Sequence, residues 1–246
     1  MNKQEKLADL RHSLARYGLP PDRPAIALGI AEADSVLGGG LRRGAVHEVF
    51  AAGWAGGGFV ACLAIQAAGT KPLFWIRPDY EALEYGALSA SGLLELGGDP
   101  DKLFLMRAAN ADMALAAAAD ILASPHVGAV VLEISGTSKC LDLVASRRLS
   151  LLAEESGVTL FVLRQGARAE PSAALTRWHA ASAPSRAGDE DWGNPRFAVE
   201  LTRHRLGETG AWLMEWNPQK GSFHETPYPG LMVAPPSHRP AYAQIA

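Results

Sequence analysis

The stretch Ala51-Ala-Gly-Trp-Ala-Gly-Gly-Gly58 is the part of this sequence best suited to chemistry. A glycine-rich loop between a strand and a following helix turns backbone N–H groups and a helix N-terminus toward an anion. Loops of this kind that hold nucleotides read GxxxxGK(S/T): the lysine meets the β- and γ-phosphates, and the hydroxyl holds magnesium. With Gly56 as the second glycine, Ala51 stands in place of the first, Gly57 in place of the lysine and Gly58 in place of the hydroxyl. The loop therefore has no means to neutralise a triphosphate, and Lys71 lies beyond the apolar segment that follows. Gly53, Gly56, Gly57 and Gly58 read as a tight turn, the vestige of a nucleotide site, with a weak anion or nucleotide site as the alternative. No cofactor, metal or catalytic residue is expected from this loop.

The elements around the loop belong to an α/β domain. Residues 45–52 (AVHEVFAA) have the β-branched and aromatic content of a strand, and FVACLAIQAAG after the glycines fits a buried helix. Pro72–Ile76 predicts a second strand, interrupted at Arg77-Pro78, residues 80–96 a helix, Lys102–Arg107 a third strand, and residues 110–124 an alanine-rich helix. Val127–Glu133 is a continuous apolar run, as in a central parallel strand covered on both faces, and Val158–Gln165 reads as the next buried strand, with a helix at 138–156 between them. The β-α-β-α order predicts a mostly parallel sheet flanked by helices. Residues 174–183, 196–204 and 210–217 predict antiparallel strands, the last two joined by a hairpin at Gly207-Glu-Thr-Gly210.

Bulk properties narrow the class. The chain has 246 residues, enough for one large domain, and its net charge of −3 points to neither a nucleic-acid nor a membrane partner. Cys62 and Cys140 form no CxxC pair, which excludes a disulfide framework or a cysteine zinc site and suits a cytoplasmic protein. Leu7, Leu10, Leu14 and Tyr17 recur at helical spacing before Gly18-Leu-Pro-Pro, so the N-terminus reads as an amphipathic helix rather than a signal peptide. No apolar run reaches the roughly 18 residues of a membrane span. The expected organisation is an N-terminal helix and linker at 1–24, a core domain at 25–222, and a proline-rich extended tail at 223–246.

Three motifs then carry a resemblance. Leu-Gly-Gly-Gly-Leu-Arg-Arg-Gly-Ala-Val-His-Glu-Val (37–49) resembles the entry to the core of RecA recombinases, and with Leu175-Thr-Arg-Trp-His179 and Trp212-Leu-Met-Glu-Trp216 it is most similar to the ImuA family of RecA-like, SulA-like inducible mutagenesis proteins. The resemblance spans roughly residues 20–222 and implies a RecA-like core. On it, Asp79 falls near the place of the water-activating glutamate, Glu133 at that of the Walker-B aspartate, and Gln165 at that of the γ-phosphate-sensing glutamine. Read without the resemblance, Asp79 is a helix cap, Glu133 either pairs with a neighbouring cation or stays solvated, and Gln165 is a group that satisfies backbone at a strand end.

The resemblance further implies a non-catalytic adaptor in DNA-damage-induced translesion synthesis. Its implied partners are an ImuB-like relative of the Y-family polymerases and an error-prone replicative-type polymerase, with RecA a further candidate. Two alternatives stand beside it: a SulA-like cell-division inhibitor, and a RecA-like ATPase with a non-standard phosphate loop. The segments after Glu133, about four residues, and after Gln165 are short and lack the aromatic platform of a single-strand groove. Direct DNA contact is left open. Arg42 and Arg43, a cluster of Arg164, Arg168 and Arg177, and a second cluster of Arg203 and Arg205 are the candidate partner or DNA contacts; solvated surface is the alternative reading.

Overall fold

The computed structural model describes residues 23–51, 55–185 and 193–225. The expected N-terminal helix, Gly53 and most of the proline-rich tail lie outside these residues.

Among the described residues the chain builds one nine-stranded sheet in the order β3-β2-β4-β5-β1-β6-β7-β8-β9. Its strands are β1 (Val46–Ala51), β2 (Leu73–Pro78), β3 (Leu103–Ala108), β4 (Ala129–Glu133), β5 (Thr159–Gln165), β6 (Thr176–Ala183), β7 (Arg196–His204), β8 (Gly210–Asn217) and β9 (Ser222–Glu225). From β3 through β6 every pair is parallel, and β7, β8 and β9 continue the sheet antiparallel. The helices are α1 (Ala31–Val36), α2 (Ala55–Ala68), α3 (Asp79–Tyr85), α4 (Ala90–Glu95), α5 (Ala111–Leu122) and α6 (Leu143–Ser156). No helix among the described residues is long and apolar enough to cross a membrane.

The central strands are buried throughout because both their faces are covered. Val131 and Phe161 point into a core shared with α1, α2 and the antiparallel strands, while Val130, Leu132 and Leu160 face a second core under α5 and α6. This two-sided burial accounts for the unbroken runs of β4 and β5, every residue of which is buried. The first core ends in an aromatic cluster in which Phe59 meets Trp178, Phe197 and Phe223 at centroid distances of 5.6–6.1 Å.

Local differences from the sequence reading have local causes. Arg77 and Pro78 do not interrupt the second strand but end it, where a proline lacking N–H is tolerated. The helix expected at 80–96 is two, because Gly86 adopts φ 75° and Ser89 caps a new start by accepting from Gly92 N. The helix expected from 138 starts at Leu143, where Asp142 caps it, so nine residues rather than about four follow Glu133. Those nine are held to the core: Ile134 N donates to Leu163 O and Gly136 N to Gln165 O. The strand at 174–183 is antiparallel only to β7; toward β1 it is parallel, because the ten residues 166–175 carry the chain back from the Ala51 end of β1 to its Val46 end. Phe223, expected to open the tail, is buried in β9, which pairs with β8.

Candidate functional site at the ends of the parallel strands

The parallel register brings Ala51, Glu133, Gln165 and Pro78 to one end of the sheet, beside the N-terminus of α2. This is the end at which open α/β sheets bind ligands. The described glycines of the expected loop are already helical: Gly56, Gly57 and Gly58 form the first turn of α2. Each does something different. A Cβ on Gly56 would lie 2.5 Å from Ala51 Cβ and 3.0 Å from Leu163 Cδ1, so this glycine lets the helix start press on β1 and β5. A Cβ on Gly57, the lysine position, would meet nothing within 4 Å. One on Gly58 would rest against the Phe197 ring at 3.4 Å, an ordinary contact. Lys71 is at the other end of α2, its Nζ donating to Pro125 O.

Glu133 and Gln165 meet, and two residues not singled out in the sequence complete the group. Glu133 Oε2 accepts from Trp75 Nε1 at 2.9 Å, and Oε1 accepts from Gln165 Nε2 at 3.0 Å and from Arg77 Nη2 at 3.2 Å. Arg77 also donates to Gly86 O and Glu81 O, tying α3 to the sheet. Beside it the buried Glu81 accepts from both the backbone N–H and the hydroxyl of Ser135. Burial raises the Glu133 carboxyl above its ordinary range, opposed by the Trp75 bond and the Arg77 charge, while the Glu81 charge adds to the rise. Arg77 inside the apolar strand Leu73–Pro78 was the available sequence signal, since a buried cation demands a carboxylate.

Asp79 does not join this group. It is the first residue of α3 rather than its cap, and its carboxylate takes Arg107 Nε at 2.8 Å with both side chains about half exposed.

Four of the candidate arginines, Arg164, Arg177, Arg203 and Arg205, hold the chain at residues 136 and 170–173. Arg164 and Arg177 bracket the Phe50 ring at 5.7 and 5.3 Å. Arg164 is not a surface residue: it is 2% exposed, donates to Gly136 O and pairs with Glu170 at 3.6 Å. Arg177 pairs with the buried Glu48 at 2.8 Å and donates to Glu170 O and Ser172 Oγ. Arg203 and Arg205 donate to Ser172 O and Ala173 O, so all four guanidinium groups hold residues 136 and 170–173. Burial lowers the Arg203 pKa, with the charges of Arg177 and Arg205 adding to the effect. Arg43 donates to Ala67 O, Arg42 is half-buried, and Arg168 is exposed.

No family model matches the chain. Two proteins of Caulobacter vibrioides, each called Protein ImuA and from strains NA1000 / CB15N and ATCC 19089 / CIP 103742 / CB 15, are 33% identical to it over 213 residues, covering 78% of this chain and 83% of theirs.

Proposed function

This chain belongs to the ImuA family, and from that premise we propose that it is a cytoplasmic, non-catalytic adaptor of DNA-damage-induced mutagenesis that binds an error-prone polymerase complex. The partners in this reading are an ImuB-like relative of the Y-family polymerases and an error-prone replicative-type polymerase, with RecA as a third. The core is RecA-like, and its nucleotide site has become part of the scaffold.

The observation that supports this reading best is the state of Glu133. A Walker-B carboxylate serves a magnesium ion, whereas here both oxygens already accept from Trp75, Arg77 and Gln165. The sensor-position glutamine spends its amide on the same carboxylate, and the lysine position is Gly57. Phosphoryl transfer is mostly positioning and charge neutralisation, and these residues provide neither to a phosphate. A protein of this build acts through its surfaces.

The deciding experiment is the frequency of damage-induced mutation in a strain lacking the protein. The adaptor reading expects a fall to the uninduced level, restored by a plasmid copy carrying Glu133→Gln if that variant is kept folded at low temperature. An unchanged frequency in the deletion strain overturns it.

A further inference from the structure

The sheet has two edges, and they are finished differently. β9 is four residues long, and Phe223 N already donates to Leu28 O. β3 has six residues in unbroken register with β2, and among the described residues nothing pairs with its outer side. It holds none of the devices that keep an edge from pairing: no proline, no lysine and no bulge. Its one charge, Arg107, stands near its end and gives Nε to Asp79.

The strand is apolar on both faces. Phe104 stacks on Phe74 at 4.9 Å yet stays 49% exposed, and Leu105 on the opposite face is 43% exposed. Leu103 packs against the first core and Met106 against the second, so the strand itself is fixed. A fixed row of free N–H and C=O groups selects an extended backbone as its occupant. To cover Phe104 and Leu105 together, that backbone must carry apolar side chains on both of its own faces.

β3 itself meets this description. We propose that two copies of the chain pair through β3, antiparallel about a two-fold axis normal to the sheet, and so form a dimer with one continuous sheet. Such an axis leaves each face on its own side, so odd residues meet odd and even meet even. Centring it on Leu105 sets Leu105 against Leu105 and Phe104 against Met106, an apolar contact on each face. Arg107 then stands opposite the partner's Leu103 and diagonal to the partner's Asp101. The Asp101 carboxylate makes no hydrogen bond or ion pair in its own chain among the described residues, and Arg107 has its Nη groups to offer. Lys102, paired with Asp99 of its own chain, meets Ala108. An axis at Met106 would set the two Arg107 side chains diagonal to each other, and one at Phe104 would pair only Leu103, Phe104 and Leu105 of each strand. Because β3 is the one long unpaired edge among the described residues, the contact closes at two copies and does not run on into a fibre. The dimer is independent of the adaptor reading.

The test is sedimentation of the full-length protein over a roughly hundredfold range of concentration, in which the wild type should pass from monomer to dimer. Leu105→Lys and Leu105→Glu each set two like charges against one another at the axis. Each should weaken the dimer about tenfold or more, with an unchanged circular dichroism spectrum. Mixed in equal amounts, the two variants should dimerise again, because lysine then meets glutamate. Hydrogen exchange should be slower at the amides of residues 103–107 in the dimer than in the monomer. A wild type that stays monomeric overturns the proposal. So does a dimer that neither variant weakens, or one without slowed exchange at residues 103–107, since the contact would then lie elsewhere. A mixture of the two variants that recovers nothing overturns the pairing of Leu105 with itself. Damage-induced mutation in the deletion strain decides the adaptor reading alone and leaves these outcomes as they are.

Discussion

Gln165 Nε2 donates to Glu133 Oε1 across 3.0 Å, joining the last residues of two neighbouring parallel strands. Because Oε1 also takes Arg77 and Oε2 takes Trp75, one carboxylate gathers three strands, β2, β4 and β5, at the end where a ligand would otherwise sit. The polar side chains at this end bond to one another rather than outward.

Glu133→Gln tests this. Both carboxylate oxygens are acceptors, and an amide can keep only one; its NH2 must face either Trp75 Nε1 or the Arg77–Gln165 pair, all donors. The substitution also strands the buried Arg77 guanidinium. Removing one partner of such a pair costs about 3–5 kcal/mol, and urea unfolding should show a loss in that range. An unchanged midpoint would mean that the carboxylate is free for another task.

Val131→Asp probes the sheet itself. Val131 is fully buried and lies in register between Trp75 of β2 and Phe161 of β5. A carboxylate there has no partner, and its desolvation takes most of the roughly 5–15 kcal/mol that holds a domain together. Circular dichroism should find no cooperative unfolding transition for this variant. Val131→Ala, which only opens a small cavity, should fold and lose about 2 kcal/mol.

Much of this architecture was legible in the residues because it rests on patterns that burial imposes. Unbroken buried runs at 129–133 and 159–165 follow from two covered faces, and from β1 to β5 a helix-spaced or alanine-rich segment separates each strand from the next. Helix starts were less legible where capping decides them: Asp142, not an apolar periodicity, fixes the start of α6. The site was half legible. Glu133 and Gln165 stand at strand ends, where spacing alone locates them, but their partners come from β2, and only the parallel register brings Trp75 and Arg77 alongside. The backbone targets of the arginines were not legible, because Arg203 and Arg205 donate to Ser172 O and Ala173 O and Arg164 to Gly136 O, and a carbonyl carries no sequence signature.

The three glycines at the start of α2 should respond differently to alanine. At Gly57 the new methyl enters open space, so the helix propensity gain of about 0.5–1 kcal/mol appears undiminished. At Gly56 the methyl meets the Ala51 side chain at 2.5 Å, and overpacking of about 1–3 kcal/mol exceeds that gain. Thermal melts should therefore move up for Gly57→Ala and down for Gly56→Ala. If both moved up, the close approach of α2 to β1 would be wrong. Gly57→Lys should fold like Gly57→Ala and gain no ATP hydrolysis, because Glu133 remains occupied.

The pH dependence of stability should be set in part by His47, at the opposite end of the same strand. Its Nε2–H donates to Arg42 O at 3.0 Å, which leaves Nδ1 as the acceptor of the Thr176 hydroxyl at 2.7 Å. Trp178 Nε1 in turn donates to Thr176 Oγ1, completing a chain that needs a neutral imidazole. Burial is the main cause that lowers its pKa from 6.5 to about 4, against the Arg42 bond, which works the other way. The folded state thus binds fewer protons than the unfolded state between those values, so stability falls as pH drops from 6.5 toward 4. A depression of this size corresponds to about 3 kcal/mol when fully developed. Other acids titrate in the same range, so the measurement is the difference in urea unfolding free energy between the wild type and His47→Gln. That difference should shrink by about 3 kcal/mol between neutral pH and pH near 4, and a difference independent of pH would show that His47 is not held neutral by the fold.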